Sequence, residues 1–273
     1  MAGIFLHTFQ PPPVLARVGP FTIHWYGLFL SLGALAGYVV WLRLGRAYRL
    51  KSVQLETLFF LTVLAGFVGA RLYHVLNEWP YYAARPTEIL AIWNGGLAIH
   101  GALLAGLAVF MVYARRAKLS FPLLADIVVP AVALGQAIGR WGNYFNQELF
   151  GRPTALPWGI PIEIVKRPPE LVTSEFFHPT FLYESIGSLL VFVILIFLHR
   201  RRLAGPEPRG RVSYGIIALI YFIAESLVRT VTELLRVDQV PLVAGVRLPL
   251  LVSILIALLA AVILVRRMKG VRA

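Results

Sequence analysis

The chain has 273 residues, of which 58% are hydrophobic and only 14% are charged, with a formal net charge of +13 and no cysteine. Soluble domains carry about a quarter charged residues, so this composition excludes an ordinary soluble protein and indicates that much of the surface faces lipid. The basic residues lie in short clusters between apolar runs, which does not suit nucleic-acid binding. Without cysteine, the chain has no disulfide, thiolate metal site or cysteine nucleophile.

Seven apolar runs are long enough to cross a bilayer, which takes about 20 residues. In chain order, the predicted spans are 24–42, 55–77, 97–114, 121–139, 181–198, 214–232 and 248–265. The first residues do not resemble a cleaved signal peptide, because they contain Pro11, Pro12 and Pro13 and no basic residue before Arg17. The sequence therefore predicts an all-α integral membrane protein, a single seven-helix domain over 1–273.

The basic clusters orient these spans. Sixteen of the 26 basic residues follow spans one, three, five and seven: Arg43, Arg46, Arg49, Lys51; Arg115, Arg116, Lys118; Arg200, Arg201, Arg202, Arg209, Arg211; and Arg266, Arg267, Lys269, Arg272. Short cytoplasmic connections carry the excess of Lys and Arg in membrane proteins. We therefore expect the N-terminus outside and the C-terminus in the cytoplasm.

The longer connections are then extracytoplasmic. They cover 1–23, 78–96, 140–180 and 233–247. The third is dense in Pro, Trp and Glu, and we predict that 140–180 forms a small extracytoplasmic subdomain between helices four and five.

Polar side chains interrupt the spans at defined places. Charged groups at membrane depth are costly, so each needs a partner or a function. They are Arg71 and His74 in span two, His100 in span three, Arg140, Asn143, Asn146, Glu148 and Gly151 after span four, and Glu225, Arg229, Glu233 and Arg236 in and after span six.

Structural interpretations compete with functional ones for these residues. His74 and His100 could be buried core histidines, and Arg140 could extend its guanidinium to the interface. Glu225 and Arg229, one helical turn apart, could form only an ion pair that lets the helix insert.

Convergence favours a functional site. Five side chains map to the same depth near the outer face: Arg140, Arg229, His100, Asn143 and Glu148. Two guanidinium groups facing one cavity attract an anion, and their forked donors match phosphate oxygens. The phosphate most available in a membrane belongs to a phospholipid head group, and Asn143 and Asn146 offer further donors and acceptors to it.

The same residues carry a family resemblance over most of the chain. Residues 139–151, GRWGNYFNQELFG, resemble the signature of prolipoprotein diacylglyceryl transferases. Residues 24–27 (HWYG), His100-Gly101, residues 178–184 (HPTFLYE) and the series Arg229, Glu233, Arg236 are also similar to that family. The first run is highly specific, whereas His-Gly alone would be weak.

The resemblance implies an activity. Family members transfer the diacylglyceryl group of phosphatidylglycerol to the lipobox cysteine of a bacterial prolipoprotein, forming a thioether and releasing glycerol phosphate, without metal or cofactor. It implies as partners phosphatidylglycerol and prolipoprotein signal peptides within membrane lipid, and as location the bacterial inner membrane, with the active site toward the outer face. Family positions used for catalysis or phosphatidylglycerol binding fall on Tyr26, His100, Arg140, Asn143, Glu148, Gly151, Arg229 and Glu233.

Two departures from the family leave the general base open. Glu225 stands where the family commonly has tyrosine, and Phe181 stands where it usually has glutamine. Only a thiolate attacks well, so the substrate thiol needs a base or a cationic neighbour. We favour His100 as base and a structural, phosphate-orienting role for Glu225, because imidazole is the better base near neutral pH. The roles of Arg71 and His74 stay open.

A transporter or lipid flippase is the main alternative, since intramembrane Arg, Glu and His also mark transport pathways. The lack of a visible internal repeat counts against it. The sequence contains neither the motif of a membrane serine protease nor that of a zinc protease. No predicted span contains the lysine that a retinal protein needs. A scaffold would explain the topology but not the converging polar residues.

Overall fold

The computed structural model describes residues 5–19, 21–205 and 214–272, and most of this part is helical. Arg209 and Arg211 lie outside the described residues. The helices that the structure describes are α1 (Phe5–Thr8), α2 (Trp25–Ala47), α3 (Ser52–Asn77), α4 (Trp79–Ala83), α5 (Ile99–Arg116), α6 (Phe121–Asn146), α7 (Thr180–Ala204), α8 (Ile216–Glu233) and α9 (Leu248–Arg272).

Six of the described helices are long and apolar enough to cross a membrane: α2, α3, α5, α6, α7 and α9. Helix α8 also has 18 residues but contains Glu225, Arg229 and Glu233. Many large apolar side chains on these helices are exposed, as lipid-facing surfaces require. The prediction of an all-α integral membrane protein, crossing the membrane several times, is confirmed.

Three helices end in the same backbone motif, although none has glycine at the reversal. Arg49, Lys118 and Gln147 adopt φ values of 60°, 54° and 52°. In each case the next N–H donates to the carbonyl five residues back, as in a Schellman motif. At the end of α6 this reversal joins Glu148 N to Asn143 O at 3.1 Å, so it folds Glu148 back onto the helix.

The chain divides into two compact units, residues 1–40 with 125–273 and residues 41–124. In the first unit, α6, α7 and α8 enclose a core that includes Val129, Ala133, Leu195 and Ile217. In the second unit, α3 packs closely against α5, because Gly69 and Gly101 leave no side chain between the two backbones.

Short antiparallel ribbons occur between the helices: β1 (Val14–Val18) with β2 (Phe21–His24), β3 (Ile160–Pro161) with β4 (Phe176–Phe177), and β5 (Leu242–Val243) with β6 (Val246–Arg247). The segment between α6 and α7 has its own apolar core, which includes Tyr144, Phe150, Phe177 and Phe181. Helix α6 extends past the predicted span end at 139 to Asn146, so Arg140 and Asn143 lie on a helix rather than in a loop.

Candidate functional site

Glu184, near the start of α7, is the centre of a network of buried charges. Arg140 Nε lies 2.8 Å from its Oε2, and Arg229 Nη1 lies 3.1 Å from its Oε1. Thr232 Oγ1 donates to the same Oε1 at 3.0 Å, and Arg236 Nη1 is 3.5 Å away. Glu184 is only 4% exposed. One carboxylate therefore holds guanidinium groups from α6, from α8 and from the segment after α8.

Glu233, at the end of α8, forms the second centre. Its Oε2 lies 3.2 Å from Arg229 Nη2, and its Oε1 accepts from Arg247 Nε at 2.8 Å. Asp238 completes the network by accepting from Arg236 Nε at 2.7 Å, and its carbonyl accepts from Arg247 Nη1 at 2.8 Å. We call these seven residues the arginine cluster: Arg140, Arg229, Arg236, Arg247, Glu184, Glu233 and Asp238.

The arginine cluster is one positive charge in excess, since it has four guanidinium groups and three carboxylates. Its cations are not equally accessible. Arg236 is enclosed at 3% side-chain exposure, whereas Arg140 and Arg229 are exposed by 23% and 30%. Arg140 uses Nε on Glu184, and no hydrogen bond or ion pair joins its two Nη atoms to a described residue. This geometry leaves a forked pair of donors to bind an anion.

Glu225 is not part of the arginine cluster. Arg229 pairs with Glu184 and Glu233, so the structure does not form the ion pair between Glu225 and Arg229 that the sequence left open as an alternative. Two carboxylates, Glu184 on α7 and Glu233 on the following turn of α8, already occupy the guanidinium. The contact described for Glu225 is a 3.3 Å hydrogen bond that Ser188 Oγ donates to its Oε2.

The end of α6 presents a second polar group. Asn143 Nδ2 donates to Glu148 Oε1 at 2.7 Å, and Asn146 Nδ2 lies 3.4 Å from the same oxygen. Lys166 Nζ donates to the carbonyl of Asn146 at 2.9 Å. Two amides therefore hold the carboxylate of Glu148, and the positive φ of Gln147 directs that residue back toward α6.

Gly151 connects the segment after α6 to the segment after α8. Its N–H donates to His178 O at 2.9 Å, and Gly151 forms an isolated β-bridge with Arg236. A Cβ at this position would lie 2.8 Å from His178 Cβ and 3.0 Å from Thr180 Cγ2. Gly151 therefore permits the close approach that sets the backbone position of Arg236.

Tyr26 lines an open cleft of about 720 Å³ in the first unit. A Cβ on Gly142 would lie 2.8 Å from Tyr26 Cδ2, so the glycine leaves room for the tyrosine ring against α6. The cleft is lined by Thr22, Ile23, His24, Tyr26, Gly27, Leu28, Ser31 and Asn146.

Arg71, His74 and His100 belong to the second unit. Arg71 donates to the carbonyls of Glu88, Ile89, Gly95 and Gly96 at 2.6–3.0 Å. Its guanidinium also lies 5.1 Å from the centre of the Tyr82 ring, which His74 meets edge-on. Arg71 therefore organises the connection before α5. His100, on the first turn of α5, is exposed and 5.8 Å from the Tyr73 ring.

Sequence reasoning did not select Glu184, Asp238 or Arg247 for this site. Glu184 stands in the run 178–184, where a carboxylate near the start of an apolar span could have signalled a buried ion pair. Asp238 and Arg247 are separated from α6 by about a hundred residues, and no local pattern marks their contacts.

The sequence was also compared with known protein families and relatives. The family model described as prolipoprotein diacylglyceryl transferase matches residues 13–266. Three relatives named phosphatidylglycerol–prolipoprotein diacylglyceryl transferase are similar to the chain. The Nostoc sp. protein is 46% identical over 87% of this chain and 83% of its own length. The Synechococcus elongatus protein is 46% identical over 90% and 83%, and the Synechocystis sp. protein 43% over 94% and 89%. The chain belongs to the prolipoprotein diacylglyceryl transferase family.

Proposed function

We propose that this protein transfers the diacylglyceryl group of phosphatidylglycerol to the lipobox cysteine thiol of bacterial prolipoproteins. The product is a thioether, and glycerol phosphate is released. The names of the relatives support this reaction. The observation that carries it in the structure is the arginine cluster, in which Arg140 keeps both Nη atoms uncommitted and one positive charge is in excess.

The reaction breaks a carbon–oxygen bond, and the phosphate leaves with the electron pair. Negative charge grows on the phosphate oxygens as the bond lengthens, so donors already directed at them stabilise the transition state. Arg140 and Arg229 supply these donors. Glu184 holds both guanidinium groups in place before the lipid binds, which avoids reorganisation during the reaction. One such donor is worth about 3 kcal/mol.

Other residues of the site take supporting roles in this proposal. Asn143 and Asn146 bind the glycerol of the head group, and Glu148 is fixed beside them. Glu233 pairs with Arg229 and Arg236, and Gly151 bridges to the backbone of Arg236. In this proposal these contacts keep the guanidinium groups in position. Tyr26 and His100 are assigned to catalysis on the resemblance, and Arg71 and His74 to the architecture of the second unit.

The cleft beside Tyr26 suits the lipid substrate. Its volume of about 720 Å³ lies within the range of small-molecule sites, about 300–1,000 Å³. Tyr26 and Asn146 line it together with apolar groups such as Ile23 and Leu28. A head group can therefore meet the polar end of α6 while acyl chains stay against apolar surface.

The proposed setting is the bacterial inner membrane, with seven spanning helices, the N-terminus outside and the C-terminus in the cytoplasm. Helix α8 is included because its charged residues pair with other helices and need not face lipid. The arginine cluster then lies toward the outer face, where the lipobox cysteine of a membrane-anchored prolipoprotein emerges. The proposed extracytoplasmic subdomain covers 140–180, of which 147–179 lie between α6 and α7.

Purified protein mixed with phosphatidylglycerol and a synthetic lipobox peptide tests the reaction directly. We expect the peptide mass to rise by one diacylglyceryl group, and a peptide with alanine in place of cysteine to stay unmodified. Glycerol phosphate should appear in equal amount. Absence of the adduct, together with movement of labelled phosphatidylglycerol between leaflets of a vesicle, would contradict the transferase and support a flippase.

A further inference from the structure

Glu225 is a buried carboxylate of which only one oxygen has a hydrogen bond from a described residue. Ser188 Oγ donates to its Oε2 at 3.3 Å. Its Oε1 is shielded from solvent and has no hydrogen-bond partner among the described residues. No basic side chain in the described part of the chain lies within ion-pair distance, 4.0 Å, of either oxygen. The carboxylate therefore stabilises no neighbouring cation through direct contact.

The carboxylates of Glu184 and Glu233 are in the opposite situation. Glu184 meets Arg140 through one oxygen, and Arg229 and Thr232 through the other. Glu233 meets Arg247 and Arg229. Their lone pairs are committed to guanidinium groups, so accepting a proton would break strong charge-assisted contacts. Of these three described glutamates, Glu225 alone has a carboxylate oxygen without a hydrogen bond or ion pair.

A carboxylate without a direct ion-pair partner is costly to keep inside a membrane helix. A structural role would call for a partner, and the partner expected from helical spacing, Arg229, is taken. An intramembrane ionisable residue of this kind is a functional-site candidate by its physical cost alone.

We propose that Glu225, and not the His100 favoured from sequence, is the group that accepts the proton of the substrate thiol. This inference rests on the proposed transferase reaction and deepens it. In a phospholipid, the glycerol carbon that bears the phosphate lies deeper in the membrane than the phosphate itself. Glu225 precedes Arg229 by four residues on α8, about 6 Å along the helix axis, and so lies further from the end of α8 that carries the arginine cluster. The base is then placed below the phosphate contacts, toward the carbon under attack.

The step balances without any further reactant. Glu225 Oε1 takes the thiol proton, and the sulfur uses the freed electron pair to form the carbon–sulfur bond. The carbon–oxygen bond to the phosphate breaks, and its electron pair leaves on glycerol phosphate, whose charge Arg140 and Arg229 neutralise. The proton then passes from Glu225 to water or to the released phosphate, which restores the carboxylate.

A comparison of two nucleophiles tests this role. We would assay Glu225→Gln with a lipobox peptide and with the same peptide carrying selenocysteine in place of cysteine. A selenol is already ionised at neutral pH and needs no base. We expect Glu225→Gln to lose at least about a hundredfold in turnover of the cysteine peptide, the lower range for removal of a general base. Turnover of the selenocysteine peptide should stay within about threefold of the unmodified protein, since the phosphate contacts are intact.

Two further variants make the result interpretable. Arg140→Gln should lose activity toward both peptides, because it acts on the leaving phosphate. Glu225→Asp keeps a carboxylate and should retain more cysteine turnover than Glu225→Gln. Full cysteine turnover in Glu225→Gln, or equal losses with both peptides, would overturn the proposal and make Glu225 structural. If the unmodified protein modifies neither peptide, the transferase itself fails.

Discussion

Arg140 and Glu184 form a close ion pair, but the removal of Arg140 and the removal of Glu184 have different physical consequences. Without Arg140, Glu184 still has Arg229, Thr232 and Arg236 around it. Without Glu184, three guanidinium groups lose their shared anion at a buried site, which costs stability because each cation must be desolvated without compensation. Arg140 is therefore the position at which phosphate binding can be separated from folding.

We predict that Arg140→Gln lowers diacylglyceryl transfer by about a hundredfold, equivalent to about 3 kcal/mol of transition-state stabilisation. Membrane insertion and the thermal unfolding midpoint in detergent should change little, since Glu184 keeps its other donors. Arg85→Gln is the matched control, because Arg85 is a half-exposed surface arginine. Turnover unchanged in Arg140→Gln would show that the arginine serves only the architecture.

We expect His178, just before α7, to make the segment between α6 and α7 sensitive to acid. Trp158 Nε1 donates to Tyr183 Oη at 2.9 Å, and that hydroxyl lies 3.1 Å from His178 Nδ1. Because the indole can only donate, the tyrosine proton is available to His178, which requires a neutral imidazole. Partial burial likewise lowers the pKa of His178 from its ordinary value of 6.5.

The direction in which stability changes with pH follows from the number of protons that the folded and unfolded chains bind. A folded-state pKa below the unfolded value means that the unfolded chain binds more protons, so stability is lost as pH falls below about 6.5. The loss should be less than about 1 kcal/mol, because the side chain is largely screened by water. We predict that His178→Asn, which keeps an acceptor but does not titrate, shows a smaller drop in unfolding midpoint between pH 7.5 and 5.5. Identical drops in both proteins would contradict the role of His178.

At the scale of the element, α8 is anchored differently at its two ends. Its C-terminal end carries Arg229 and Glu233 into the arginine cluster. Its N-terminal end is capped by Asp126 of α6, which is fully buried and accepts from Gly215 N and Ala218 N at 2.8 Å. Arg202 Nη1 lies 2.7 Å from the same carboxylate. A capping carboxylate from another helix fixes both the rotation and the axial position of α8.

We predict that Asp126→Asn destabilises the protein by about 1–3 kcal/mol, because the amide must leave one backbone donor and part of the arginine charge unmatched. Thermal unfolding in detergent measures this, and transfer activity well below the midpoint should persist. Glu56→Gln is the control, since the side chain of Glu56 is 39% exposed and its contact with Arg46 is 4.0 Å long. A midpoint shift no larger than that of the control would mean that α8 needs no cap from α6.

The helices were predictable from sequence because membrane lipid forces the backbone to satisfy its own hydrogen bonds over each apolar run. The end of α6 was not, because Gly142, Asn143 and Asn146 are residues typical of a loop and yet the helix continues through them. The reversal at Gln147 uses a positive φ that glycine usually provides. The spacing rule for helical pairs failed at Glu225, because Glu184, 45 residues away from Arg229, took its place.

The candidate site was predictable in part. Arg140 and Arg229 were expected at one depth, and the structure brings them to one carboxylate. The partners Glu184, Asp238 and Arg247 depend on how α7 and the segment between α8 and α9 are placed, which no local pattern contains. The assignment of 1–273 to one domain stays a prediction, as do the roles of the site residues.

At the scale of the whole molecule, the number of crossings decides where the chemistry occurs. Six described helices are apolar enough to cross by composition, and α8 is the exception. If α8 crosses, there are seven spans and the termini lie on opposite sides. If it does not, the C-terminal end of α8 would lie on the face of the basic clusters after α2, α5 and α7. Arg229 would then be separated from Arg140 and Glu184, which lie at the opposite ends of α6 and α7, and the arginine cluster could not form.

Single cysteines can decide this, because the chain has none of its own. We predict that cysteines at Val165 and Val243, which are exposed by 88% and 49%, react with an impermeant maleimide added outside intact cells. Cysteines at Arg46, Lys118 and Arg200, on exposed ends of the described helices, should react only after the membrane is opened. Arg202 is unsuitable, since it contacts buried Asp126.

Arg200 and Val243 flank α8, so labelling of both from the same side would remove α8 from the spans and overturn the proposed orientation of the site. Labelling of Val243 from outside and Arg200 only from inside establishes the crossing despite the three charged residues on α8, because Glu184 and Glu233 neutralise Arg229 within the protein.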